Sequence, residues 1–213
     1  MIIAIDGTSS SGKGSLAKKL SEHFKLPYLN TGAIYRLVAL KLIQKKIDPT
    51  NIENYLDLLI NDIDLLSLEN KKLFDENVGY TASIIAKNKN LRKGLFDFQK
   101  NFVENSKKNN GCILDGRDTT TVICPEADYK IFVTAEVEIR AKRRYLQLKD
   151  TSSYEEILDQ LKKRDTNDFN RSDAPLKIAD GALIIDNTNL TIEQGFNKIL
   201  QFINNKNDFT NKK

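Results

Sequence analysis

The sequence predicts an α/β fold built on a parallel five-stranded sheet with helices on both faces. Three observations predict it. Short apolar runs, such as Met1-Ile2-Ile3-Ala4-Ile5 and Gly111-Cys112-Ile113-Leu114-Asp115, lack the polar alternation of a half-exposed strand and suit strands buried on both sides. Helical patterns separate these runs, and strands alternating with helices indicate a parallel sheet. The third observation is the stretch Gly7-Thr8-Ser9-Ser10-Ser11-Gly12-Lys13-Gly14-Ser15, set between a β-branched run and a helix. Glycines there let backbone N–H groups approach an anion, the following helix points its positive end at the same place, and Lys13 adds a full charge. This is the grammar of a P-loop. The rival reading, a plain Gly/Ser connector, does not suit a site six residues from the first Met between a strand and a helix.

The elements follow in order. Met1–Ile5 is the first strand. The helix from Lys13 to about Phe24 places Leu16, Leu20 and Phe24 on one stripe. Leu26–Leu29 reads as a short strand or extended turn. A second helix, about Ala33 to Lys46, turns Ile34, Leu37, Val38 and Leu42 inward and stops at Asp48-Pro49. Residues 51–110 read as an insertion: a helix from Ile52 to Asn61, a hairpin-like pair at Ile63–Leu68 and Lys72–Phe74, then helices at about Asn77–Lys87 and Asn90–Glu104. Its few large apolar positions and many charges suggest a small subdomain that moves. The core resumes at Gly111–Asp115 and Tyr129–Val133. A basic helix with Arg140, Arg143 and Arg144 spans Val137 to about Leu148, and another runs from Ser152-Ser153 through Arg164. Ala182–Asp186 is the last strand, followed by a helix at about Ile192–Ile203 and a polar, frayed tail at 204–213. The domains expected are therefore a core at 1–50 and 111–213, with a lid at about 150–176, and the insertion at 51–110.

Composition excludes several classes. The net charge is only +4 and the Lys residues are scattered, whereas a nucleic-acid binder concentrates them in a stripe. No apolar run approaches the roughly 20 residues of a membrane span, and no signal peptide is visible. The two cysteines, Cys112 and Cys124, have no CxxC partner, so a metal site on them is not expected and a reducing cytoplasm is. His23, the only histidine, falls at the end of a surface helix.

Three further constellations carry chemistry. Asn30-Thr31-Gly32-Ala33-Ile34-Tyr35-Arg36 is either a helix cap or a second anion site, a helix N-terminus with Arg36 one turn inside. Asp115-Gly116-Arg117-Asp118 ends a core strand, where ligands of open α/β sheets sit; the plain alternative is a turn with a local ion pair. Arg164, Asp168 and Arg171 share one helix face, either as solvated ion pairs or as part of a lid.

These motifs together, in this order, with Ala174-Pro175-Leu176 after them, resemble the bacterial-type cytidylate kinases of the nucleoside monophosphate kinase family. The P-loop alone is generic; the other three are specific, and together they cover nearly the whole chain. The resemblance implies a P-loop kinase core, an inserted NMP-binding subdomain at 51–110 and a short helical lid. It implies transfer of the γ-phosphoryl of ATP to CMP or dCMP. ATP would lie on Gly7, Thr8, Ser9, Ser10, Ser11, Gly12, Lys13, Gly14 and Ser15, with Arg140 and Arg144. Ser83, Arg92 and Asp118 match positions that read cytosine. Arg36, Arg117 and Arg171 match those that hold the acceptor phosphate, with Thr31 nearby, and Arg164 and Asp168 match lid positions near the sugar. Lys13, Arg117, Arg164 and Arg171 would act in catalysis. Mg²⁺ would accompany ATP, organised by Ser15 and Asp115 through water.

Two departures stand out. The segment Asp75–Tyr80 before Ser83 looks shorter than the family's, and Asn167 stands where an additional Arg is common. The chain is expected to be a cytoplasmic monomer that binds neither nucleic acid nor membrane. The rival readings are an adenylate or uridylate kinase, a GTPase suggested by Asn205-Lys206-Asn207-Asp208, and a nucleic-acid ATPase. The GTPase reading lacks a DxxG, and the ATPase lacks a basic stripe.

Overall fold

The computed structural model describes residues 1–61, 63–148 and 152–210, with side chains as far as 206. Five parallel strands form one sheet in the order β2-β3-β1-β4-β5. They are β1 (Ile2–Gly7), β2 (Tyr28–Asn30), β3 (Cys112–Gly116), β4 (Tyr129–Thr134) and β5 (Leu183–Asp186). Every residue of β1 is buried, as its position at the centre of the sheet requires. Because side chains alternate across a strand, Ala4 and Leu114 join one core layer while Ile3, Ile5 and Ile113 join the other. The first layer packs against α2 (Thr31–Lys45), α4 (Glu76–Ile85) and α5 (Lys89–Lys107); the second packs against α1 (Lys13–Phe24) and α8 (Ile192–Thr210). Helices α6 (Val137–Leu148) and α7 (Tyr154–Asn170) form a small third cluster around Ala141, Ile157 and Leu161.

Local chemistry explains the element ends. The Asn30 carboxamide accepts from Ala33 N at 3.1 Å and starts α2 directly from β2. Ser153 and Glu156 form a reciprocal capping box at the start of α7. Lys25 and Lys46 close α1 and α2 in left-handed conformations.

The structure differs from the sequence expectations in three places. The helix expected from Ile52 to Asn61 is a 3₁₀ stretch (Pro49–Tyr55) followed by the short α3 (Leu56–Ile60). The hairpin expected at 63–74 is absent; Leu66–Glu69 and Lys71–Phe74 are single 3₁₀ turns. Asp64 accepts from Ser67 N and Oγ, and Asn70 accepts from Lys72 N, so short polar side chains bend the backbone before a ladder can form. The tail is helical as far as Thr210, where α8 ends, and residues 211–213 lie outside the described residues; the Asn205–Asp208 pattern is therefore within a helix and not at a strand end.

The segment 51–110 is also better packed than its composition suggests. Ile52, Leu59, Leu73, Val78, Ile85, Leu91, Leu95 and Val103 are buried in the same cluster as Leu114 and Ile34. The cysteines are both free and buried, and His23 is exposed. No helix among the described residues is long and apolar enough to cross a membrane.

Candidate active site

The sheet register sets the site. Ile5 lies opposite Asp115 and Asp6 opposite Gly116, so the carboxyl ends of β1 and β3 deliver the glycine loop and the Asp115–Asp118 turn side by side. The loop is shaped by close approaches. A Cβ on Gly7 would sit 1.9 Å from Val133 O, so β4 and the loop touch at backbone distance. Gly12 and Ser10 take left-handed φ values of 91° and 58°. The loop's carbonyls are tied from behind: Asn187 Nδ2 donates to Ser11 O at 2.7 Å, and Arg140 Nη1 donates to Ser9 O at 3.1 Å. Under the loop, Asp6 is fully buried and accepts four hydrogen bonds of 2.6–2.8 Å, from the N–H and hydroxyl groups of Thr119 and Thr120. Burial pushes its carboxyl up, and the threonine bonds pull against that rise. These threonines open a π-helical turn, Thr119–Ile123, that follows the Asp115–Asp118 motif.

A pocket of about 200 Å³ opens in front of the loop. It joins Ser9, Ser10 and Lys13 from the loop with Thr31 and Arg36 from α2, Ser83 from α4, Arg92 from α5, Asp115, Arg117 and Asp118 from the end of β3, Arg144 from α6, and Arg164, Asp168 and Arg171 from α7 and its end. Seven cationic side chains thus face three carboxylates. Several cations are held in place by protein acceptors. Arg117 Nε donates to Asp168 Oδ2 at 2.7 Å, Arg36 Nη1 to Leu73 O at 2.7 Å, and Arg92 pairs with Asp118. Lys13 and Arg164 make no hydrogen bond or ion pair among the described residues, and the buried Arg171 Nη2 makes no hydrogen bond, only a long ion pair to Asp118 at 3.8 Å.

The excess positive charge shows in the ionisation of these groups. Lys13 is pushed down to about 8, first by burial and then by Arg117, with Asp115 opposing. Arg36 is pushed down to about 9, by burial and then by Arg164 and Arg144. Arg164 and Arg171 are lowered too, by burial first. Asp168 is held below the usual carboxylate range: burial raises it, and Arg117 with the other arginines outweighs burial. A pocket that disfavours its own cations is one that a polyanion would stabilise.

Asp115 explains the residue after Lys13. A Cβ on Gly14 would lie 3.1 Å from Asp115 Oδ2, so a hydroxyl residue there would crowd the carboxylate. Burial raises Asp115, with Lys13 and Arg117 opposing and the Tyr28 hydroxyl bonded to it. No cluster of three or more His, Cys, Asp or Glu among the described residues could hold a metal alone. One carboxylate beside a phosphate pocket does fit Mg²⁺, which keeps waters and takes its remaining ligands from substrate phosphates. Ser15 is exposed in the first turn of α1 and does not line the pocket.

Gly7, Thr8, Ser11, Gly12 and Gly14 build the loop behind the pocket wall. Arg140 does not face the pocket. It is 4% exposed and bonds Ala135 O, Ser9 O and Asp165, so it supports the loop from below. Arg144 faces the pocket but pairs with Glu76 and donates to Phe74 O at 3.0 Å, at the start of α4. Ser83 lines the pocket while its hydroxyl donates to Tyr80 O at 2.7 Å. Asp6, Asn187, Asp165 and Asp173 went unread in the sequence. Asp6 preceded a recognisable loop and Asn187 followed a recognisable strand, but neither reveals a partner more than a hundred residues away.

The family model for cytidylate kinase matches residues 3–205. The chain is 40% identical over 215 residues to a cytidylate kinase of Methylocella silvestris, covering 98% of this chain and 96% of that one. It is 40% identical over 205 residues to a cytidylate kinase of Bartonella tribocorum, covering 95% and 94%. Among solved structures, an uncharacterized protein from Eubacterium ventriosum shares the fold with a TM-score of 0.57 at 15% identity, over 96% of this chain and 98% of the other. With its glycine loop, its arginine-lined pocket and a match to the family model along almost its entire length, this chain belongs to the cytidylate kinase family.

Proposed function

We propose that the protein transfers the γ-phosphoryl of ATP to CMP or dCMP, giving ADP and CDP or dCDP. The observation that carries the proposal is that one pocket is lined by Lys13 of the glycine loop, by Arg36, Arg117 and Arg171, and by the Arg92–Asp118 pair. Loop and Lys13 suit the triphosphate of the donor. The three arginines suit the monoester phosphate of the acceptor. Cytosine offers N3 and O2 as acceptors and an N4 amine as donor, which an Arg beside an Asp complements; uracil's N3–H and O4 do not match that pairing. Ser83, on the same wall, is the third candidate for the base, and Asp168 with Arg164 serves the sugar side.

The chemistry needs no covalent enzyme intermediate. An oxygen of the acceptor phosphate attacks the γ-phosphorus, the bond to the bridging oxygen breaks, and ADP leaves with that electron pair. Two polyanions must be aligned against their repulsion, and alignment alone supplies roughly 7–11 kcal/mol. Lys13, Arg117, Arg164 and Arg171 stabilise charge spread over the transferring group. Mg²⁺, when bound with ATP, would supply further charge neutralisation; Asp115 would hold it through water, and Ser15, exposed and outside the pocket lining, is not placed to share that role. Arg140 acts in this reading as a brace under Ser9, and Arg144 closes the pocket from α6.

In the same reading residues 51–110 form the acceptor-binding segment, about 150–176 form a lid over core 1–50 and 111–213, and the protein works as a cytoplasmic monomer without nucleic acid. A coupled ADP-release assay across all nucleoside monophosphates and their deoxy forms tests the proposal. CMP and dCMP are expected to be preferred; a strong preference for AMP or UMP refutes it. Lys13→Ala is expected to lower turnover by at least about a thousandfold while thermal unfolding stays near wild type; near-normal turnover removes Lys13 from the mechanism.

A further inference from the structure

Arg92 is gripped twice. Its Nη2 pairs with Asp118 at the end of β3, and its Nε donates to Asp173 Oδ2 at 2.9 Å. The two carboxylates come from different parts of the fold, the end of β3 and the turn after α7, and the guanidinium also lies 5.9 Å over the Tyr35 ring. Arg92 is only 7% exposed. Its Nη1 has no hydrogen-bond partner among the described residues, and Arg92 is one of the residues that line the pocket.

Asp173 sits on a turn that is itself strapped down. Leu176 N donates to Asp168 O at 2.8 Å, and Arg171 Nε donates to Ala174 O at 2.6 Å. Leu176 is buried, and Ala174, which is not a glycine, holds a left-handed φ of 46°. A non-glycine residue takes that conformation at a steric cost, and such strain persists where the surroundings fix it. The turn therefore presents Asp173 to Arg92 as a set feature of the fold.

We infer that Asp173 is a positioning residue for acceptor-base selection: by occupying Arg92 Nε it limits the Arg92–Asp118 contact to one N–H, and so keeps the second Asp118 oxygen and Arg92 Nη1 for the nucleobase. This role rests on the cytidylate kinase reading above. The physical alternative makes the point. The Nε–Nη2 edge of an Arg prefers to fork both oxygens of one carboxylate. With Asp173 gone, that fork is available to Asp118, both acceptor oxygens turn towards Arg92, and only their outward lone pairs, no longer aimed at the base, are left for an exocyclic amine. As the structure stands, Asp118 Oδ1 lies 3.8 Å from Arg171 Nη2, beyond hydrogen-bonding distance.

The test is steady-state kinetics of wild type, Asp173→Ala and Asp173→Glu with CMP, dCMP and UMP at saturating ATP, and with ATP varied at saturating CMP. Asp173→Ala is expected to raise KM for CMP roughly tenfold, as loss of one charge-assisted hydrogen bond would, to shrink the preference for CMP over UMP, and to leave KM for ATP unchanged. Asp173→Glu, which keeps the carboxylate, is expected to recover part of the CMP preference. If wild type uses CMP and Asp173→Ala keeps both its KM and its CMP-over-UMP preference, the role is overturned alone. A uniform fall in kcat for all acceptors, together with a lower melting temperature, also overturns it by making Asp173 merely structural. A wild type that does not phosphorylate CMP overturns the proposed function, and this role with it.

Discussion

The two ends of the pocket prepare for anions by different means. At the loop end, the preparation is backbone: Gly7 against Val133, Gly12 and Ser10 in left-handed conformations, and loop carbonyls tied back by Asn187 and Arg140. At the arginine end, it is side chain: Arg36, Arg92 and Arg117 are each held by a carbonyl or a carboxylate drawn from a different element. A backbone cradle needs glycines at fixed spacing and is written in nine consecutive residues. A side-chain cradle needs partners brought together by the fold, so its orienting groups are dispersed along the chain from Leu73 to Asp168. The first should fail by misfolding when altered, and the second by loss of selectivity.

The largest expected effect follows from that contrast. Gly7→Ala would put a methyl 1.9 Å from Val133 O, a contact that side chains cannot relieve because both sides are backbone. We expect a loss of about 3 kcal/mol or more of stability, read as a fall in the urea midpoint, as overpacking against a rigid strand gives. An unchanged midpoint would mean that β4 and the loop can separate freely, and the backbone half of the comparison would fail.

The same contrast explains what was legible in the sequence. Gly7–Ser15 announced a phosphate site because its chemistry is local. Arg36, Arg117, Arg164 and Arg171 could be placed by their motifs and Arg92 by the family resemblance, and the fold brings all five to one pocket. Which carboxylate or carbonyl would orient each of them could not be read. Nothing near Asp173 or Asp168 states which arginine it will hold, and Asp6 reads as an ordinary residue at a strand end until Thr119 and Thr120 are seen around it. The segment 63–74 failed for another reason. Its apolar spacing imitates a strand pair, while the Asp64 and Asn70 side chains, which fix the turns, act over only two or three residues.

The smallest effect is also the one that separates the two ends most cleanly. Lys13 is held near 8 in the free protein, by burial and by Arg117. A bound triphosphate favours the charged form and returns the group towards its ordinary value, so the bound pKa is the higher one. Binding then takes up a proton, affinity is full below about 8, and it falls as pH rises from there to the bound value. For ATP binding we expect about a tenfold weakening between pH 7 and 9, with proton uptake visible as a calorimetric heat that varies with buffer. The arginine end should not follow. Arg36 is lowered only to about 9, and Arg117 is raised by Asp168 and Asp115 against its burial, so these charges persist across most of that window. CMP affinity is therefore expected to change by less than about threefold over the same range. If ATP and CMP weaken in parallel, one shared group governs both ends and the division between them is wrong. If neither changes, Lys13 is not the charge that meets the triphosphate.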